Sequence, residues 1–398
     1  MLFEKPELAD GSISEIPLVM NIFGTRERTM RALGIAEPSE IGKRMVTLMK
    51  PDIATISKRP WKGLPLLKDA LSMSPKKVRR ASCQRIKMTE LDVTRLPIPK
   101  TWPNDVGPLI TFPLVVTKDP RTGEHNLGMY RGQVYGPAEV GLHWQIHKHG
   151  ADHADEYGDG RMPVAICIGG PPELVFSAIA PLPDNLEEYM FAGFLGRRRL
   201  SVVKAVSQDL LVPAEADIVI EGYTIPGKTR TEGPFGDHFG YYSLEGEFPV
   251  LQVTAITMRK NAILPATIVG IPPMEDGYLG EAIGDAFLPV LQFQHRDVVD
   301  VFPKHAITGC DEGLFENLES EIASLGVPGP DGETIAQDMK NNGLEYHSGW
   351  DCCVPQIFWT YVVFYDPDAF SGEKPDSMAD FFDVEKFPGK RGIHTWAT

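Results

Sequence analysis

The chain has 398 residues, 42% of them hydrophobic and 23% charged, with a formal net charge of −15. That length can hold two or three domains and bury a sizeable core, while no apolar run approaches the ~18 residues of a membrane span, so a cytoplasmic protein is expected. The acid excess is concentrated late. From residue 303 onward 17 Asp and Glu stand against 6 Lys and Arg, which excludes nucleic acid as a partner for that stretch.

Residues 1–80 predict mixed α/β structure. An apolar strand spans residues 16–20, and a helix spans 25–33 with Thr25 as its cap and Gly34 as its stop. The basic run Lys76, Lys77, Arg79 and Arg80 reads as a solvated face or a phosphate contact. From 81 to about 266 the chain is strand-rich, with buried strands at 109–116, 163–168 and 251–258 and turns such as Gly169-Gly170-Pro171-Pro172 between them. Short strands with interspersed helices predict an α+β barrel. Five cysteines (Cys83, Cys167, Cys310, Cys352, Cys353) form neither a disulfide framework nor a paired C-x-x-C metal motif.

Three stretches carry chemistry. In His125-Asn126-Leu127-Gly128-Met129-Tyr130-Arg131-Gly132-Gln133-Val134, period-two alternation from Arg131 puts Arg131, Gln133 and Tyr135 on one face and Tyr130, Gly132 and Val134 on the other. An arginine in such a strand is costly unless it meets an anion or a salt-bridge partner. Asn126 lies five residues earlier and is expected at a turn or bulge. The second stretch, residues 183–193, predicts a helix capped by Asp184 or Asn185 with Glu187 and Glu188 in its first turn. The third, residues 231–242, holds Glu232 and Asp237 in a loop with three glycines and a proline, a composition suited to aiming side chains. A loop at 272–276 then leads to a helix from Gly280 to about Gln292.

Together these motifs, N-x-G-x-Y-R at 126–131, P-D-x-x-x-E-Y-x-x-A-G at 183–193 and E-G-P-F-G-D-H at 232–238, resemble the UbiD family of decarboxylases, which use prenylated FMN. The resemblance spans about residues 1–302 and leaves the family fold incomplete at both ends. It implies an α+β fold: a partial N-terminal α/β domain (1–80), a split β-barrel flavin-binding domain (81–302), and an unrelated acidic fragment (303–398). The last resembles part of a polyamine-binding protein of ABC transporters, most specifically at residues 374–392. The implied activity is non-oxidative (de)carboxylation of an aromatic or α,β-unsaturated carboxylic acid. A polyamine-binding fragment with a passenger, or a flavin barrel without decarboxylase activity, are the alternatives.

The resemblance also implies site residues. Catalysis falls to Arg131, Glu232 and Asp237. Two carboxylates crowded near Arg131 should not both ionise easily, so one gains a raised pKa; Asp237 is the expected proton donor, with Glu232 tuning Arg131. Prenylated FMN would be bound by Asn126, Met129, Tyr130, Arg131, His143, Trp144, Gln145, Lys148, Glu188 and Lys204. Lys204 reads equally as a surface charge. A divalent metal, Mn2+ by family likeness, would be held by Asn126, His143 and Glu188, with His147 as the alternative histidine and K+ as a further candidate ion. The intact family fold implies a homo-oligomer acting on a small carboxylic acid.

Overall fold

The computed structural model describes residues 1–144, 149–183, 186–238, 240–270 and 274–294; the stretch resembling a polyamine-binding protein lies outside them. Strands β1 (Leu2–Phe3) and β2 (Leu18–Met20) pair antiparallel. Helix α1 (Arg26–Leu33) begins where the Thr25 side chain accepts the Arg28 N–H, and it ends at Gly34 with φ 65°, as its cap and stop residues predicted. Helices α2 (Ser39–Met49), α3 (Ile53–Lys58) and α4 (Leu64–Ser72) follow. Strand β3 (Lys76–Val78) leads into the barrel region.

A ten-stranded sheet dominates the remainder. In chain order its strands are β4 (Ile86–Lys87), β5 (Leu109–Ile110), β6 (Leu114–Lys118), β7 (His125–Met129), β8 (Gly132–Gly136), β9 (Glu139–Gly141) and β10 (Met162–Ile168). After two strands of a separate small sheet, β11 (Ser201–Lys204) and β12 (Leu211–Pro213), it continues with β13 (Ile218–Thr224), β14 (Thr229–Glu232) and β15 (Gly246–Met258). The spatial order is β5-β8-β9-β15-β13-β10-β6-β7, with β4 and β14 also paired to β15.

This order requires a curl. Residues 109–116 do not form one strand: they split around Pro113, which has no N–H to give a ladder, into β5 and β6. Those two strands stand six places apart in the sheet, roughly 29 Å if it were flat. Four residue steps from Ile110 to Leu114 reach at most ~14 Å. Three steps from Met129 to Gly132 likewise carry the chain from β7, at one edge, to β8, beside the other. Two short links across the same gap bring the edges together into an open, split barrel.

Alternation fills both faces of the sheet. Val115, Val164, Ile166 and Ile168 join one apolar cluster, and Leu114, Val116, Ala165 and Cys167 join another beneath helices α6 (Pro172–Ile179) and α7 (Glu188–Gly196). Fully burying an aliphatic side chain of this size contributes about 1.5–3 kcal/mol.

Strand β16 (Leu264–Ala266) pairs parallel with β2, and helix α8 (Glu275–Gln294) starts five residues before the expected Gly280. Glu275 explains the early start. Its buried carboxylate accepts the N–H groups of Phe23 at 2.8 Å and Asn21 at 3.2 Å, so the first helical residue is fixed to the N-terminal segment. Arg26 then pairs with Glu281 and Asp285 on α8. No helix among the described residues is long and apolar enough to cross a membrane.

Candidate active site

Tyr130 and Arg131 form the link that crosses the barrel's split. Asn126 lies inside β7, paired with Thr117, so the expected turn or bulge is not at Asn126. The break comes at Tyr130-Arg131, because the chain must leave the edge strand there. The Tyr130 ring folds back over Gly128, where a Cβ would come within 2.4 Å of it; glycine is the residue this approach allows. Beyond the break the alternation holds. Tyr130 and Val134 enter the core, whereas Gln133 accepts the Gly233 N–H at 3.1 Å and the Tyr135 hydroxyl donates to the Thr231 carbonyl at 3.0 Å. Arg131 therefore shares a face with the loop that follows β14.

That loop is pinned from outside. Asp105, buried, accepts the N–H groups of Thr101 and Trp102 through one oxygen and that of Gly236 through the other. The Trp102 ring lies against Gly236, and its Nε1–H donates to the Val269 carbonyl at 2.9 Å. The Glu232 carboxylate, 1% exposed, is thus delivered to Arg131. Arg131 donates from Nε at 2.9 Å to Oε1 of Glu232, and its Nη2 lies 2.8 Å from the same oxygen in an ion pair. His143 Nδ1 reaches the same oxygen at 2.8 Å. Asp237 Oδ2 stands 3.9 Å from Arg131 Nη1, and the guanidinium lies 5.9 Å from the Phe235 ring centroid. Glu232 Oε2 is buried without a hydrogen-bond partner among the described residues. An acceptor left so costs about 1–3 kcal/mol.

The expected raised pKa of Asp237 is not what the structure shows. The His238 side chain donates to Asp237, and that bond, helped by the His238 backbone N–H and charge and by Arg131, holds its carboxyl below the usual range against partial burial. Asp237 answers by raising the His238 pKa. The contact thus favours the ionised carboxylate on Asp237 and the protonated ring on His238.

The metal expectation divides. Glu188 Oε2 accepts the Leu127 N–H at 2.9 Å, which seats it at the strand that carries Asn126, and Asn126 Nδ2 is buried with no partner among the described residues. His143 goes elsewhere: its Nδ1 is engaged by Glu232, and its ring lies 4.2 Å from that of Phe248. No three His, Cys, Asp or Glu side chains converge for a metal among the described residues. Gln145, His147 and Lys148 lie outside them, as do the expected caps Asp184 and Asn185; α7 is instead preceded by Glu187. Met129 is half-buried at the end of β7. Trp144 is buried beside Tyr130 and Gly150, borders a cavity of about 270 Å³, and has an Nε1–H with no acceptor among the described residues. Lys204 is 73% exposed and lies 3.7 Å from the exposed Asp209.

Two contributors were not read from the sequence. Asp105, in Thr101-Trp102-Pro103-Asn104-Asp105, organises the acid loop, and only its turn-like composition hinted at that. His143 is the other: its Nδ1 contact with Glu232 was not among the sequence expectations. A hairpin register pairing Val134 with Val140 sets it opposite Arg131.

Comparison with known proteins adds the family. Residues 76–272 match the Rift-related domain of 3-octaprenyl-4-hydroxybenzoate carboxy-lyase, UbiD, and residues 1–49 match the N-terminal domain of the same family. An uncharacterized protein of Archaeoglobus fulgidus is 45% identical over 333 residues, 83% of this chain and 66% of the relative. That share of the chain exceeds residues 1–302, so the match runs into the acidic stretch. The vanillic acid decarboxylase of Sedimentibacter hydroxybenzoicus, in closed form, superposes with a TM-score of 0.61 at 27% identity, over 74% of this chain and 62% of that one. An evolved dimeric form of the UbiD-class enzyme HmfF from Pelotomaculum thermopropionicum, solved with prenylated FMN, gives 0.58 at 27% identity, over 70% and 60%. The chain thus spans about two thirds or less of the length of these relatives. With both family domains in order along it and the three motifs seated at one barrel split, this chain belongs to the UbiD family.

Proposed function

We propose that the chain binds prenylated FMN and acts in the removal or addition of CO2 at an aromatic or α,β-unsaturated carboxylic acid. The observation that carries this reading is the convergence of Arg131, Glu232 and Asp237 from segments about a hundred residues apart, with a buried carboxylate oxygen left unpaired. Three of the six buried polar atoms that have no partner among the described residues are of types that suit a bound group. Asn126 Nδ2 and Trp144 Nε1 are donors suited to phosphate or carbonyl oxygens, and Glu232 Oε2 is an acceptor. The homologous HmfF has been solved with FMN as well as with prenylated FMN.

When bound, prenylated FMN supplies the electron sink that loss of CO2 from an sp² carbon requires and that no side chain offers. The chain's own residues bind, orient and move a proton. Arg131 has Nη1 turned toward Asp237 rather than Glu232, and that edge is the one to hold a substrate carboxylate. Glu232 keeps Arg131 in place. Asp237 is the group to carry the proton, and His238 Nδ1, hydrogen-bonded to it, is a proton store beside it. A divalent cation, manganese in this reading, would take oxygens of Asn126 and Glu188, with a histidine, His143 or His147, as its third ligand. Potassium and a homo-oligomeric assembly belong to the same reading.

The test is uptake followed by turnover. The purified chain mixed with prenylated FMN should retain the flavin through gel filtration, Asn126→Ala should lose most of it, and the loaded chain should release CO2 from a member of an aromatic and α,β-unsaturated acid panel. A chain that retains no flavin under any metal condition overturns the proposal.

A further inference from the structure

We infer that His143 is a positioning residue for Glu232: together with Arg131 it saturates Oε1, so that Oε2 is the one acceptor the carboxylate can offer to a bound group. What Oε2 then does rests on the decarboxylase reading above; the positioning itself does not.

The β8–β9 hairpin explains why His143 is there. Val134 pairs with Val140, and the same register continued past the strand ends sets Arg131 opposite His143. The His143 N–H donates to the Arg131 carbonyl at 3.1 Å, as that register demands. Residues opposite each other on adjacent strands project to the same side. Both side chains consequently arrive at Glu232 from one face, and both end on one oxygen.

Three short contacts reach that oxygen: Arg131 Nε at 2.9 Å, Arg131 Nη2 at 2.8 Å and His143 Nδ1 at 2.8 Å. An oxygen with two lone-pair sites has no room for a further donor. The second oxygen is buried and has no partner among the described residues. The imidazole cannot drift, because its ring lies against Phe248 with centroids 4.2 Å apart and planes tilted by 31°. An ionised carboxylate accepts and does not donate, so the hydrogen of this bond sits on Nδ1 of His143. That nitrogen then has no lone pair for a metal ion.

The first measurement uses the unmodified full chain without flavin. Nitrogen-15 NMR of the imidazoles near neutral pH should show His143 with hydrogen on Nδ1, as the Nδ1–H tautomer or the doubly protonated ring. The Nε2–H tautomer would overturn the inference. The second is a kinetic pair on the flavin-loaded chain. Asparagine places an amide N–H near the Nδ1 position, whereas leucine has no donor. His143→Leu should lower kcat by about 10–100-fold, since a misplacement of up to about 1 Å can cost ~10²-fold, with KM within about twofold of the parent. His143→Asn should recover most of the loss. Equal losses in the two variants, or a loss confined to KM, overturn it. If no form of the chain turns over any acid, the decarboxylase reading fails, and the tautomer alone then decides the positioning of Glu232.

Discussion

The backbone N–H of Leu127 donates to Oε2 of Glu188 at 2.9 Å, and through that bond helix α7 closes an edge of the open barrel. Strand β7 ends the sheet, so alternate N–H groups along it have no neighbouring strand. Two consecutive acids at the start of α7 face them. Glu188 accepts the Leu127 N–H, and the His125 N–H, two residues before, favours the charged form of Glu187. Burial pushes the Glu187 carboxyl up despite that N–H. An acidic first turn is also favoured by the helix dipole. The bond from Leu127 seats Glu188 at the strand that carries Asn126, so the arrangement proposed for a cofactor also serves the fold.

Glu188→Ala should therefore destabilise the chain even without flavin. The N–H of Leu127 loses its acceptor at a part-buried position, at a cost of about 1–3 kcal/mol. Glu188→Gln keeps a carbonyl acceptor and should recover most of it. Urea denaturation of the three forms checks this; an alanine variant as stable as the parent would mean water replaces the carboxylate freely.

Arg131 and Glu232 should behave as a unit. Removing the arginine leaves a buried carboxylate with His143 as its one strong donor, and breaking a buried pair from one side typically costs about 3–5 kcal/mol. Arg131→Ala should approach that loss, while Arg131→Ala combined with Glu232→Gln should be clearly more stable than the arginine variant alone. Additive losses in the double variant, by chemical denaturation, would show the two side chains to be independent.

Much of this was legible in the sequence, and the misses have physical causes. The α1 cap and stop are local chemistry, and Thr25 and Gly34 behave as such residues do. Period-two alternation placed Arg131, Gln133 and Tyr135 on one face because it needs no partner strand. The break at Tyr130-Arg131 was not legible, since it follows from which strand neighbours which across the split. The contact of His143 with Glu232 was not legible for the same reason. A histidine's partner is set by hairpin register and by Glu232, 89 residues away. The Asp237 pKa was misjudged by counting its acidic neighbour and not the histidine beside it.

His125 should give the chain an acid-sensitive step. Its ring is part-buried, and that burial, helped by the charges of Lys118 and Lys77, holds its pKa down to about 4; its Nε2 accepts the Leu211 N–H at 3.0 Å, which requires the neutral ring. The unfolded chain takes up that proton near 6.5, the folded chain near 4. Acid between those values favours unfolding, so the contribution is intact above 6.5 and lost as pH falls, by at most about 1.4 kcal/mol for each pH unit crossed. Below about 4 this part of the dependence levels off. From pH 7 to 4 the denaturation midpoint of the parent should fall more steeply than that of His125→Gln, whose amide can still accept the Leu211 N–H and does not titrate. Parallel curves would place the acid sensitivity elsewhere.

Gly236→Ala tests whether the acid loop is aimed by Trp102. A Cβ on Gly236 would fall 2.0 Å from the indole ring, and the ring cannot retreat easily. It is held through Nε1 by the Val269 carbonyl at 2.9 Å, and Tyr242 packs edge-on against it at 5.2 Å. The strain must pass to the loop itself, where the Gly236 N–H is bonded to Asp105 at 2.9 Å, one residue before Asp237. Overpacking of this kind costs about 1–3 kcal/mol. Because the loop is anchored at Glu232 by Arg131, the displacement should fall mainly on Asp237. The expected result is a small loss of stability, a changed indole emission, and a loss of turnover larger than the loss of flavin retention. An alanine variant with parental emission and parental turnover would show that the Trp102 contact does not aim the loop.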